Sequence, residues 1–300
     1  LSRDRSHLLT ERINPRTADI DTLDVSAILD LIHAEDHRAL AAVGEVLGPI
    51  ARAVDLVVTA FRNGGRLVYI GAGTSGRLGT LDAAECPPTF GSDPERVQAI
   101  MAGGEAALVR SIEGAEDSES DGSDAIAGRS VDGGDVVVGI AAGSTTPFVI
   151  GGLQESINRG AKTIFVTSIP PDEIPIADQV DVVIAALTGA EVIAGSTRMK
   201  AGTATKMVLN MITTAAMVRL GKTYGNLMVD LRVTSAKLED RGRRILRNLL
   251  GVSYEDAGEL LASADGHVKT ALVMHRREVD RATAEQMLED ADGFLRKVWG

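Results

Sequence analysis

Five short apolar runs rich in β-branched residues punctuate the first two thirds of this chain: RLVYI at 66–70, VQAIM at 97–101, DVVVGI at 135–140, KTIFVT at 162–167 and DVVIAA at 181–186. Most are separated by stretches with apolar residues at helical spacing. Strands that alternate with helices are joined by crossovers rather than hairpins, so the runs read as a parallel sheet with helices covering its faces. With 300 residues, 44% of them hydrophobic, the chain can bury a large core.

Ahead of the first run, Ile28, Ile32, Val43, Leu47, Ile50, Val54 and Val57 recur at helical spacing, which predicts two long helices over 24–62. Past the last run, a helical pattern extends from Lys200 to Leu220 and breaks at Gly221, with a second helical segment expected from about Asn226. From Arg241 the composition changes to short amphipathic helices with alanine- and leucine-rich faces at 255–263, 267–276 and 282–297. The expected organisation is an N-terminal helical segment, 1–62, packing on an α/β domain, 63–240, followed by a small helical domain, 241–300.

Composition narrows the function. A single cysteine, Cys86, allows no intramolecular disulfide and fits a reducing compartment, with the cytoplasm as the default. No apolar run of membrane-spanning length occurs, and the first twenty residues are too charged for a signal peptide. Leu1 in place of methionine points to a trimmed start. A net charge of −11 disfavours nucleic acid and anionic membranes as partners, so an anionic ligand must be held by local donors in loops.

Two loops offer such donors. The first run leads into Gly71-Ala72-Gly73-Thr74-Ser75-Gly76-Arg77, and a helical pattern follows. Glycines, hydroxyls and main-chain N–H groups at a helix start favour a phosphate, making Gly73, Thr74, Ser75 and Gly76 candidate contacts. The spacing also fits the dinucleotide fingerprint GxGxxG, but the second run ends in Met-Ala-Gly-Gly where an acidic ribose ligand should stand. The second loop, Gly143-Ser144-Thr145-Thr146-Pro147, again joins a strand to a helix and adds Ser144, Thr145 and Thr146. The bland alternative for either loop is an ordinary turn with a helix cap.

Two acidic positions stand out. Glu85 precedes Cys86-Pro87-Pro88, and the double proline is expected to force an extended exit directly after it. Glu116 lies in EGAED at 113–117, at the expected end of a helix loosened by Gly114. Taken singly, each reads first as a solvated surface acid.

Together, GAGTSGRLGTLDAAECPPTFG (71–91), EGAED (113–117), GAEVIAGSTRMKAGTATKMVLNM (189–211) and GNLMVDL (225–231) resemble the N-acetylmuramic acid 6-phosphate etherases, from about Leu9 to the C-terminus. The resemblance implies a sugar isomerase (SIS) domain, a flavodoxin-like three-layer α/β sandwich with a five-stranded parallel sheet, and a small C-terminal helical, UBA-like domain. It implies a lyase that removes D-lactate from C3 of the amino sugar by elimination and water addition, in cell-wall sugar recycling. Glu85 would protonate the departing lactate and Glu116 would take the C2 proton, which asks Glu85 to be the more buried of the two. No metal or redox cofactor is implied, and a homodimer is. Where the family commonly reads ASGRTP, this chain reads AGSTTP at 142–147, so an arginine is missing from the second loop.

Other signals weigh less. Lys200 and Lys206 could meet the substrate's phosphate or carboxylate, or serve a surface or dimer contact. His33 and His37 lie four apart on a predicted helix, but no third metal ligand is near. Cys86 has no neighbouring base to activate it and reads as a buried filler. An aldose–ketose isomerase and a non-catalytic sugar-phosphate sensor are the competing functions.

Overall fold

The computed structural model describes residues 8–143, 145–231, 233 and 235–299. The five runs form β1 (Leu67–Gly71), β2 (Val97–Met101), β3 (Val136–Ile140), β4 (Lys162–Thr167) and β5 (Val182–Ala185). All pair in parallel in the order β2-β1-β3-β4-β5. This is the flavodoxin-like order, in which the chain reverses direction of travel between β1 and β3 and leaves a crevice beyond their carboxyl ends.

Helices cover both faces. The two expected N-terminal helices are α1 (Val25–Gly44) and α2 (Leu47–Arg62); α3 (Gly73–Phe90) follows β1, and α4 (Ala106–Val109), a single turn, follows β2. Next come α5 (Glu119–Gly128), α6 (Pro147–Asn158) and α7 (Lys200–Arg219). Val68, Ile70, Val137 and Phe165 point to one face, where Ile126 of α5 and Val149 and Leu153 of α6 cover them. Tyr69 and Ile140 point to the other, against α3 at Gly79. Side chains on both faces are buried, as a parallel sheet requires.

The helices α5 and α6 approach closely enough that glycine is required between them. A Cβ on Gly151 would stand 2.0 Å from the carbonyl oxygen of Glu119, and one on Gly122 would stand 1.9 Å from that of Phe148. Both clashes are with main chain, which cannot swing aside. Gly151→Ala is therefore expected to force the pair apart and cost about 1–3 kcal/mol, read as a lowered urea midpoint.

The chain divides into two compact units, one comprising Leu1–Ala84 and Glu95–Thr213, the other Glu85–Pro94 and Thr214–Gly300. The composition change at 241 falls inside the second. There α8 (Ala236–Leu250), α9 (Tyr254–Ser263), α10 (Val268–Arg277), α11 (Arg281–Asp290) and α12 (Leu295–Trp299) enclose a separate core that includes Leu246, Leu261, Leu272 and Leu295. Buried Lys269 ties this unit internally, donating to the carbonyls of Gly221 and Gly293 at 3.0 and 2.9 Å and pairing with Asp230.

Three local expectations are corrected. The helix after β1 does not end at Glu85 but continues through Pro87 and Pro88 to Phe90. Proline's fixed φ suits a helix, so the cost is confined to lost N–H bonds and ring crowding, and buried Cys86 and Phe90, one turn apart, anchor the segment. The helix closes where the N–H of Gly91, at φ +59°, reaches the carbonyl of Pro87. The helical segment expected from Asn226 starts only at Ala236, capped by Ser235. In between, Val229 and Leu231 are buried at a spacing of two, a period no helix satisfies. Finally, 113–117 ends no helix; it is an exposed turn closed by the Asp117 N–H on the carbonyl of Gly114.

Candidate active site

The glycine-rich turn after β1 is shaped by close main-chain approach. A Cβ on Gly76 would lie 2.6 Å from the carbonyl oxygen of Gly71, so only glycine lets α3 begin so tightly against the strand end. The Gly76 N–H bonds to the carbonyl of Ala72 at 3.1 Å, which leaves the N–H groups of Gly73, Thr74 and Ser75 as the helix's orphan donors. They sit at the positive end of the α3 dipole, at the β1/β3 switch point.

The second turn differs. Pro147 opens α6 without an N–H, that of Phe148 donates to the Glu116 carbonyl at 3.1 Å, and those of Val149 and Ile150 go to Thr146. The α6 N-terminus is thus occupied by the protein's own carbonyls. Thr145 and Thr146 are half-buried beside it, and Ser144 lies outside the described residues. Thr10, from the N-terminal segment, brings next to Gly143 a buried hydroxyl that has no hydrogen-bond partner among the described residues. The α7 N-terminus is filled as well, because Glu191 accepts from the N–H groups of Lys200 and Ala201 at 3.0 and 2.9 Å. Burial raises the Glu191 carboxyl above its usual range, against those same main-chain bonds. Gly202 of α7 lies against Thr74. Of these three helix starts, the one at α3 is open to an anion.

A cleft of about 310 Å³ opens beside it. Its lining includes Ala72 and Gly73 of the turn together with Arg77, Glu113, Glu116 and Asp117. Glu116 and Gly73 are therefore brought together, and the bond from Phe148 to the Glu116 carbonyl also fixes Glu116 at the start of α6, next to Thr145 and Thr146. Three carboxylates in one small cleft offer a proton acceptor close to the anion cradle.

Glu85 belongs to the second unit and is exposed there. The expectation that burial distinguishes it from Glu116 is corrected, since Glu116 is exposed too. Lys200 is likewise corrected as a surface residue: it is fully buried, with Nζ 2.6 Å from Glu35. Glu35 also accepts from Arg16 and Asn14, and its carboxyl is held at about 2, chiefly by the Arg16 hydrogen bond, with burial opposing and Lys200 adding to it. Lys206, on α7, is exposed. His33 and His37 make an edge-on ring contact, and among the described residues no group of three or more His, Cys, Asp or Glu is placed to hold a metal. Among those residues no helix is long and apolar enough to cross a membrane.

Comparison with known proteins places the chain in a family. Residues 49–157 match the model of the glucokinase regulatory protein N-terminal SIS domain. An N-acetylmuramic acid 6-phosphate etherase of Salinibacter ruber is 54% identical over 290 residues, covering 96% of this chain and 93% of its own. One from Crocosphaera subtropica is 52% identical over 294 residues, covering 98% and 96%. The chain belongs to the N-acetylmuramic acid 6-phosphate etherase family. Among solved structures, a phosphoheptose isomerase from Neisseria gonorrhoeae aligns with a TM-score of 0.45 at 16% identity, covering 64% of this chain and 98% of its own.

Within this etherase-family chain, sequence reasoning passed over two residues. Arg77 stands inside the glycine-rich motif, whose pattern draws the eye to glycines and hydroxyls. Thr10 lies 133 positions before Gly143, and no local spacing announces that the two are neighbours. Only the topology brings them together.

Proposed function

We propose that the chain is a lyase that cleaves the D-lactyl ether of N-acetylmuramic acid 6-phosphate, releasing D-lactate and N-acetylglucosamine 6-phosphate. The observation that carries this reading is identity above one half, over nearly the full length, to relatives named for that reaction. In the ring-opened sugar the C2 proton is acidified by the C1 aldehyde. Glu116 removes it, lactate departs from C3 with a proton from Glu85, and water adds to C3 of the unsaturated aldehyde. Each step is a proton transfer coupled to C–O cleavage or formation, the work that positioned carboxyl groups perform.

The substrate phosphate sits on the N–H groups of Gly73, Thr74 and Ser75, with the Thr74 and Ser75 hydroxyls beside it and Gly76 allowing the close approach. Thr145, Thr146 and Ser144 contact the sugar from the second turn. Lys206, exposed and cationic, is a further contact for an anionic group, whereas Lys200 serves the fold. The enzyme acts in the cytoplasm as a homodimer, on a small sugar phosphate, without a cofactor.

Incubation with N-acetylmuramic acid 6-phosphate in H₂¹⁸O tests the reaction. D-lactate release with the label at C3 of the product sugar is the expected outcome. Interconversion of aldose and ketose without lactate would instead make it an isomerase, and tight binding with no turnover would make it a sensor.

A further inference from the structure

Among the described residues lining the cleft one is a cation, Arg77, whose guanidinium is spent on main-chain oxygens. Its Nε donates to the carbonyl of Leu108 at 3.0 Å, and a terminal nitrogen donates to those of Ala107 at 2.7 Å and Arg110 at 3.3 Å. These carbonyls end α4, and the last carbonyls of any helix lack intrahelical partners. A helix of one turn does not hold its own shape. Beyond it, 111–117 runs without helix or strand to Glu116. The far end of that segment is fixed by the Phe148 N–H on the Glu116 carbonyl, and its middle rests on Gly103 through Ile112 and Ala115. Arg77 holds the near end.

We propose that Arg77 is a positioning residue for Glu116: by gripping three consecutive-turn carbonyls with one planar group, it sets where the carboxylate stands in the cleft. The inference rests on the reading of Glu116 as the base. Lysine cannot substitute, because an ammonium lacks the fixed fork that meets several carbonyls at once. A carboxylate misplaced by about an ångström loses about a hundredfold in rate while substrate binding, which relies on the α3 cradle, is spared.

The test compares steady-state kinetics on N-acetylmuramic acid 6-phosphate for the full chain and for Arg77→Ala, Arg77→Lys and Glu116→Gln. Both arginine variants are expected to lose about 10- to 100-fold in kcat with KM changed by less than about twofold. Guanidinium ion, added far below denaturing concentrations, is expected to restore part of the lost kcat in Arg77→Ala and none in Glu116→Gln. Hydrogen exchange at C2 in D₂O should fall and recover in step with kcat. Wild-type kcat in Arg77→Ala, a loss carried by KM, or a loss that follows a lowered melting temperature and resists guanidinium would each overturn the proposal. Full activity in Glu116→Gln would instead remove the base assignment itself, so the two failures are told apart.

Discussion

Replacing Glu116 by glutamine is expected to lower lactate release by about 10²- to 10⁴-fold, and to abolish exchange of the C2 hydrogen with D₂O in the same measure. Glutamine keeps the size and the hydrogen-bonding reach of the side chain but cannot accept the proton, so KM should change little. Glu85→Gln should lower lactate release over the same range, yet leave C2 exchange running, because in the proposed mechanism proton removal precedes departure of the lactate. Mass spectrometry of recovered substrate separates the two, since deuterium accumulates at C2 with Glu85→Gln and not with Glu116→Gln. Equal exchange in both variants would reverse or merge the two assignments.

The largest stability effect is expected at Lys200. Lys200→Met leaves Glu35 buried at 3% exposure with one of its cationic partners gone, at a cost below the roughly 3–5 kcal/mol of a buried charge left wholly unpaired, because Arg16 still holds the carboxylate. A lowered guanidinium chloride midpoint with unchanged KM would confirm a structural role; loss of substrate affinity in a chain of full stability would return Lys200 to the site. Acid adds a second reading. The Glu35 carboxyl is held at about 2, below its ordinary 4.5, so the stability it contributes is fully present above pH 4.5 and is lost as the pH falls towards 2. The gap in stability between wild type and Lys200→Met should therefore narrow across that window.

Strand positions were legible within a residue or so because each run is a short β-branched block flanked by turn residues, and a buried parallel strand has no other way to look. Sequence resemblance carried the family, since its motifs are long and ordered. The misses lie where a local rule competes with packing. Two prolines predict an exit at Glu85, but burial of Cys86 and Phe90 keeps the helix going. The apolar residues after Asn226 suggest a helix, and their spacing of two betrays an extended segment docked on the second core. A surface place for Lys200 was one of its open readings, and it fails because its partner Glu35 lies 165 positions away and leaves no local trace.

The α6 start, closed by the carbonyls of Glu116 and Thr146, has a consequence for reading such chains. Two glycine-and-hydroxyl loops of nearly the same spelling do unlike jobs, one exposing donors to the outside and the other consuming them to moor a neighbouring loop. A tally of look-alike loops would credit this fold with two anion pockets. Among the described residues, following the amide hydrogens at the two helix starts leaves only the α3 start with donors facing outward, so the two loops are told apart by where their helix amides go and not by their spelling.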